Sequence, residues 1–141
     1  MGSRAQRTSG RRRGDDAGPL GGLTALIDTS VLVSSPALTL DESWVVSVVS
    51  VGELEAGVLL AGDGTVRAQR LRRLTAVLAE TVIVPIERAV AARYGELRAA
   101  TGRHPANDLW IAATALAHDF TLITADERLA SLPLIRATLV S

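Results

Sequence analysis

The chain has 141 residues, 48% of them apolar, and no net charge, which suits one domain with a buried core and leaves no stretch of membrane-spanning length. The absence of cysteine excludes disulfides, thiolate metal sites and cysteine nucleophiles. All 15 basic residues are arginine, so the absence of lysine excludes a Walker-type phosphate loop, Schiff-base catalysis and a lysine-dependent phospho-receiver site.

Residues 1–22 are rich in Arg, Gly and Ser, with five arginines (Arg4, Arg7, Arg11, Arg12, Arg13) against Asp15 and Asp16. They read as a disordered extension, added by cloning or translated from a misassigned start, outside a folded domain of residues 23–141. A basic arm for nucleic acid is the alternative. The domain itself carries ten arginines against thirteen acids, a net charge of −3, so it is not a general nucleic-acid binder. RNA would have to be held by a local arginine patch and a bound metal. No apolar h-region follows the basic N-terminus, and with the lack of cysteine this agrees with a cytoplasmic protein.

From residue 23 the pattern alternates strand and helix. The apolar run 23–28 (LTALID) predicts a buried strand, and TSVLVSS a short helix stopped before Pro36. Residues 44–49 (WVVSVV) are β-branched and strand-like, and 51–62 have helical spacing ending at Gly62. Residues 65–80 form an amphipathic helix with Val66, Leu71, Leu74 and Leu78 on its apolar side. TVIVP (81–85) is a strand closed by proline. Two helices, 87–101 and 106–118, are separated by the breaker Gly102–Pro105. TLIT (121–124) is a strand, ERLASL a short helix, and RATLV (136–140) a last strand. Strands separated by helices imply a parallel sheet covered on both faces, with its site at the carboxyl ends of the strands.

Four acids border or interrupt these apolar elements: Asp28, Glu53, Asp108 and Asp126. Asp28 and Asp126 follow strand ends. Asp108 lies in line with Ile111, Ala112 and Ala115, in the first turn of its helix, where backbone N–H groups favour negative charge. Glu53 lines up with Val49, Ala56, Gly57 and Leu60, whereas Glu55 points away and should be solvated. Taken singly, Asp28, Asp108 and Asp126 read equally as helix caps, and Glu53 as half of a buried ion pair with an arginine. Together, unpaired carboxylates face desolvation and mutual repulsion, and a hard divalent cation, Mg²⁺ with Mn²⁺ as substitute, relieves both.

The motifs LIDTSVL, Ser50-x-x-Glu53 in SVGELEAGV, NDLWIAATA and TAD resemble those of PIN-domain ribonucleases, most closely the VapC toxins of bacterial VapBC toxin–antitoxin pairs. The resemblance covers residues 24–140. It implies a Rossmann-like, three-layer α/β/α sandwich and Mg²⁺-dependent hydrolysis of RNA phosphodiesters to 5′-phosphate and 3′-hydroxyl ends. Asp28 and Asp108 would be the principal metal ligands, and Glu53 and Asp126 would complete the pocket directly or through water. Thr124 would steady it. Relatives often carry a further Asp–Phe pair where this chain has Leu129–Ala130, and Glu127, the nearest acid, should face solvent, which puts a second metal in doubt. The resemblance also implies a homodimer neutralised by a cognate VapB-type antitoxin, whose tail brings a cation to the pocket.

With only Trp44, Tyr94, Trp110 and Phe120 as aromatics, base stacking is not expected to dominate RNA binding, and Trp110 reads as packing. Arg67, Arg70, Arg72 and Arg73 form the best candidate RNA contact, with the solvated face of a helix as the competing reading; Arg93 and Arg98 are comparable. The helices 51–62 and 65–80 could furnish a dimer face or an antitoxin groove. His104 and His118 read as loop and cap histidines. Two other functions fit less well. A catalytically silent PIN-like module that only binds RNA or a partner would not need the four-acid set. A phosphatase with Asp28 as nucleophile normally wants a second Asp where Ser30 stands.

Overall fold

Five short parallel strands form one sheet in the order β3-β2-β1-β4-β5: β1 (Ala25–Ile27), β2 (Trp44–Ser47), β3 (Val82–Val84), β4 (Thr121–Thr124) and β5 (Ala137–Leu139). The computed structural model describes residues 22–35 and 37–140. Of the extension expected over residues 1–22, all but Gly22 lies outside the described residues, as does Pro36. The helices are α1 (Thr29–Ser34), α2 (Val48–Leu59), α3 (Gly64–Glu80), α4 (Arg88–Thr101), α5 (Ala106–His118) and α6 (Glu127–Ala130).

Successive strand residues point to opposite faces, and the core divides accordingly. Leu26, Val45, Val84 and Leu122 pack with Val90 and Leu97 of α4, Leu109 and Ile111 of α5 and Leu129 of α6. Ala25, Ile27 and Val46 face the other way, against Val31 and Leu32 of α1, Leu54 and Val58 of α2, and Leu74 and Val77 of α3. This is the expected α/β/α sandwich. Among the described residues no helix is long and apolar enough to cross a membrane.

Two local expectations change. Val48 and Val49 belong to α2, not to the preceding strand, because buried Ser47 ends β2 and its Oγ accepts the Val49 N–H at 3.0 Å, starting the helix. The β-branched run is overridden by that cap. In α3 the buried row is Leu74 and Val77, whereas Leu71 and Leu78 flank it and are about half exposed. Likewise α2 buries Ser50, Leu54 and Val58, so Ala56 and Leu60, expected beside Glu53 on the inner face, are exposed. The apolar stripe of each helix is wider than the face that the sheet covers.

Leu122 is fully buried in β4, between β1 and β5. Leu122→Ala should cost about 2–5 kcal/mol in urea denaturation, whereas Leu59→Ala, at a residue 77% exposed, should change stability by less than about 0.5 kcal/mol.

Candidate active site

The sheet order fixes where a site can form. The chain runs outward from β1 through β2 to β3, then returns to place β4 and β5 on the other side of β1. The strand order therefore reverses between β1 and β4, and a crevice opens beyond their carboxyl ends. Register brings Ile27 beside Ile123, and the Asp28 N–H donates to the Ile123 carbonyl at 2.8 Å. Asp28 and Thr124 thus leave neighbouring strands side by side. Asp126 follows two residues later.

Asp28 is only 3% exposed. It occupies the N-cap position of α1 but makes no capping bond. Its Oδ2 instead accepts the Ser30 hydroxyl at 2.6 Å and the Thr124 hydroxyl at 2.8 Å. Those hydroxyls are oriented in turn: Ser30 Oγ accepts the Ala125 N–H at 2.9 Å, and Thr124 Oγ1 accepts the Asp126 N–H at 3.0 Å. Each hydroxyl has one proton, and with a backbone donor behind it that proton goes to Asp28. The carboxylate is locked in place by neutral donors, and Oδ1 is committed to neither hydroxyl.

Glu53 projects from α2 toward the same crevice. Its Oε1 accepts the Thr29 hydroxyl at 2.5 Å, and Thr29 Oγ1 also lies 2.7 Å from the buried Ser50 Oγ. Its Oε2 accepts the Asn107 side-chain amide at 3.1 Å. Glu55 is exposed, as expected. Asp108 stands in the first turn of α5, part-buried, with Pro105 rather than Asp108 at the N-cap. Asp126 does cap: its Oδ1 accepts the N–H groups of Arg128 at 2.9 Å and Leu129 at 3.4 Å, starting α6. Leu129 is fully buried in the core and Glu127 is exposed, so this turn offers no fifth acid to the crevice.

Asp108 feels the charges of the other three acids. Burial pushes the Asp108 pKa above the ordinary aspartate value, the charges of Asp28 and Asp126 push it the same way, His104 opposes them, and Glu53 adds a smaller upward push. Among the described residues none of the four acids forms an ion pair with an arginine. As the side chains stand, no three His, Asp or Glu groups among the described residues close into a ready metal cage. Uncompensated like charges hold one another apart, so a spread-out set is the expected resting geometry of such a pocket. The donors are all oxygen, carboxylates backed by hydroxyls, which is the ligand chemistry of Mg²⁺ and Mn²⁺. On donor type and on unneutralised charge, these residues fit a divalent cation.

The other expected residues fall elsewhere. Three of the four arginines on α3 brace backbone carbonyls: Arg67 those of Val58 and Ala61, Arg70 that of Gly57, and Arg73 those of Ser35 and Leu38. Arg70, Arg72 and Arg73 also line a cleft of about 850 Å³ that has Glu53 at its edge. Arg93 pairs with Glu96 at 3.0 Å, and Arg98 bonds the carbonyls of Gly102 and His104. Trp110 stacks on Tyr94 at 4.0 Å, confirming its packing role. Sequence reasoning overlooked Thr29, Ser30, Asn107 and His104 as members of the pocket. A signal existed for each: Thr29 and Ser30 directly follow Asp28, Asn107 precedes Asp108, and His104 lies one helical turn before it.

The PIN domain family matches residues 25–134 of the chain. Ribonuclease VapC4 of Mycobacterium tuberculosis is 40% identical over 120 residues, spanning 77% of this chain and 91% of that protein. Ribonuclease VapC5 of the same organism is 37% identical over 117 residues, spanning 76% and 86%. Among solved structures, VapBC-5 from M. tuberculosis, a member of the VapBC family of toxin–antitoxin systems, is similar with a TM-score of 0.70 at 34% identity, covering 83% of this chain and 99% of that one. The chain belongs to the PIN-domain family and, within it, to the VapC ribonucleases.

Proposed function

We propose that this protein is an endoribonuclease toxin that hydrolyses RNA phosphodiester bonds with a divalent cation, Mg²⁺ or in its place Mn²⁺, and is silenced by a cognate VapB-type antitoxin. Its relatives are named ribonucleases, and VapBC-5 is a member of a toxin–antitoxin family. Divalent-metal dependence is general among PIN-domain ribonucleases. The observation that carries the reading is the buried Asp28 carboxylate, held by two neutral hydroxyls and close enough to Asp108 for its charge to act there, with no arginine among the described residues pairing with either.

In this reading Asp28 and Asp108 are the principal ligands, and Glu53 and Asp126 complete the pocket directly or through water. When bound, the cation supplies Lewis acidity toward a phosphoryl oxygen and toward water. The chain supplies position. Ser30 and Thr124 fix Asp28, Thr29 and Asn107 fix Glu53, and the start of α6 fixes Asp126. The cleft between α1, α2 and α3 is walled by Leu32, Val33, Leu54 and Val66, with Arg72 on its rim and Glu53 at its edge. It suits an apolar antitoxin segment that carries a basic side chain to the acids. Leu59 and Leu60 are exposed at the end of α2, and a second copy of the chain is the other expected partner.

Asp28→Asn and Asp108→Asn should each lower cleavage of total RNA by about 10²–10³-fold and abolish growth arrest on expression; arrest and cleavage equal to wild type in both variants would leave a binding module rather than an enzyme. Chelation with EDTA should silence the wild type, and Mg²⁺ should restore it. A third expectation concerns stability. Because the fold raises the Asp108 pKa, the charged form costs stability as the pH rises through that raised value, and the cost is absent below the ordinary carboxylate range. Metal-free Asp108→Asn should therefore melt a few degrees higher than wild type at neutral pH, and the difference should close on acidification.

A further inference from the structure

His104 stands in the short connection between α4 and α5, where an exposed side chain would be ordinary. Its side chain is instead only 8% exposed, its Nε2 has no hydrogen-bond partner, and that atom lies 3.6 Å from Asp108 Oδ2. A buried N–H without an acceptor is costly, and the Asp108 carboxylate is the acceptor within reach. The connection is built to hold the ring there. Gly102 takes a left-handed φ of 70°, which turns the chain back at the end of α4. Arg98 Nη1 then donates to the carbonyls of Gly102 at 2.7 Å and His104 at 2.9 Å, while Nη2 donates to the Tyr94 hydroxyl at 3.0 Å. Tyr94 in turn stacks on Trp110 of α5. His118 offers the contrast. Its Nε2 is also buried and without a hydrogen-bond partner, but its neighbour is the Phe120 ring at 5.8 Å and no carboxylate among the described residues pairs with it.

We propose that His104 is a positioning residue: its buried Nε2, 3.6 Å from Asp108 Oδ2 and just beyond hydrogen-bond length, closes on that carboxylate as a donor and sets the orientation in which it receives a divalent cation. This rests on the metal reading of the pocket given above. An imidazole with its proton on Nε2 donates in either charge state, so the role does not depend on titration. Among the described residues Asp108 is the one of the four acids whose carboxylate accepts no hydroxyl, amide or backbone hydrogen bond, and His104 Nε2 stands 3.6 Å from it. Outer partners of this kind typically set metal affinity by 10–100-fold.

The test is Mn²⁺ binding to the full chain, free of antitoxin, measured by calorimetry and by the electron paramagnetic resonance of unbound Mn²⁺. Wild type is compared with His104→Gln, His104→Asn and His104→Leu, with melting temperatures recorded alongside. Glutamine places an amide N–H where Nε2 stands, asparagine falls one methylene short, and leucine has no donor. The expected result is about tenfold weaker Mn²⁺ binding by the Asn and Leu variants, with the Gln variant within about threefold of wild type. Wild-type affinity in His104→Leu overturns the proposal, as does equal weakening in the Gln and Asn variants. If the Leu variant does not fold, the two amide variants, alike in polarity, decide the matter between them. Failure of the wild type itself to bind Mn²⁺ removes the metal reading and this inference with it, and is distinguishable from failure of His104 alone.

Discussion

The structure depends on an electrostatic conflict that it does not resolve by itself. Asp28 sits at the end of the central strand, where burial strips away water, and the other three acids are near enough for their charges to act on one site. The groups that hold Asp28 are hydroxyls, which orient a carboxylate without cancelling its charge. An arginine in their place would settle the conflict and leave a structural ion pair. Neutral partners supply no counter-charge, and that is the setting in which a divalent cation is proposed to bind.

Several of the described arginines are committed to backbone carbonyls or to other acids rather than to the four acids of the pocket. Arg67 and Arg70 are drawn to the carbonyls at the C-terminal end of α2, where the helix dipole is negative, and Arg73 to the loop after α1. Arg98 is spent on the connection before α5, and Arg136 on Asp119. Arginine is well suited to such bracing because one guanidinium reaches two carbonyls at fixed geometry. A cleft lined by Leu32, Val33, Leu54 and Val66 together with Arg70, Arg72 and Arg73 includes Glu53, one of the four acids, in its wall.

Much of this was legible in the residues. The alternation of short apolar runs with helical spacing gave the parallel sandwich, since strands covered on both faces must be apolar throughout and helices must be amphipathic. The four acids stood out because each interrupts an apolar pattern at a strand end or on a helix face. Capping, the competing reading, holds for Asp126 and not for Asp28 or Asp108, and no sequence pattern separates those cases. Errors clustered where a helix is more apolar than its neighbours can cover, as with Leu60, Leu71 and Leu78. Periodicity measures how an element is patterned, not how much of it another element reaches.

The sequence by itself determined the element order, the sheet type and the identity of the acids, because those follow from local periodicity and from charge placed against it. Only the tertiary structure decided who holds each acid. Thr124 reaches Asp28 across 96 positions, and Asn107 reaches Glu53 across 54. Such pairings are set by strand order and register, through contacts between residues that share no local pattern. The placement of His104 is of the same kind: one turn from Asp108 in sequence, it becomes a buried partner only because Gly102 and Arg98 fold the connection inward.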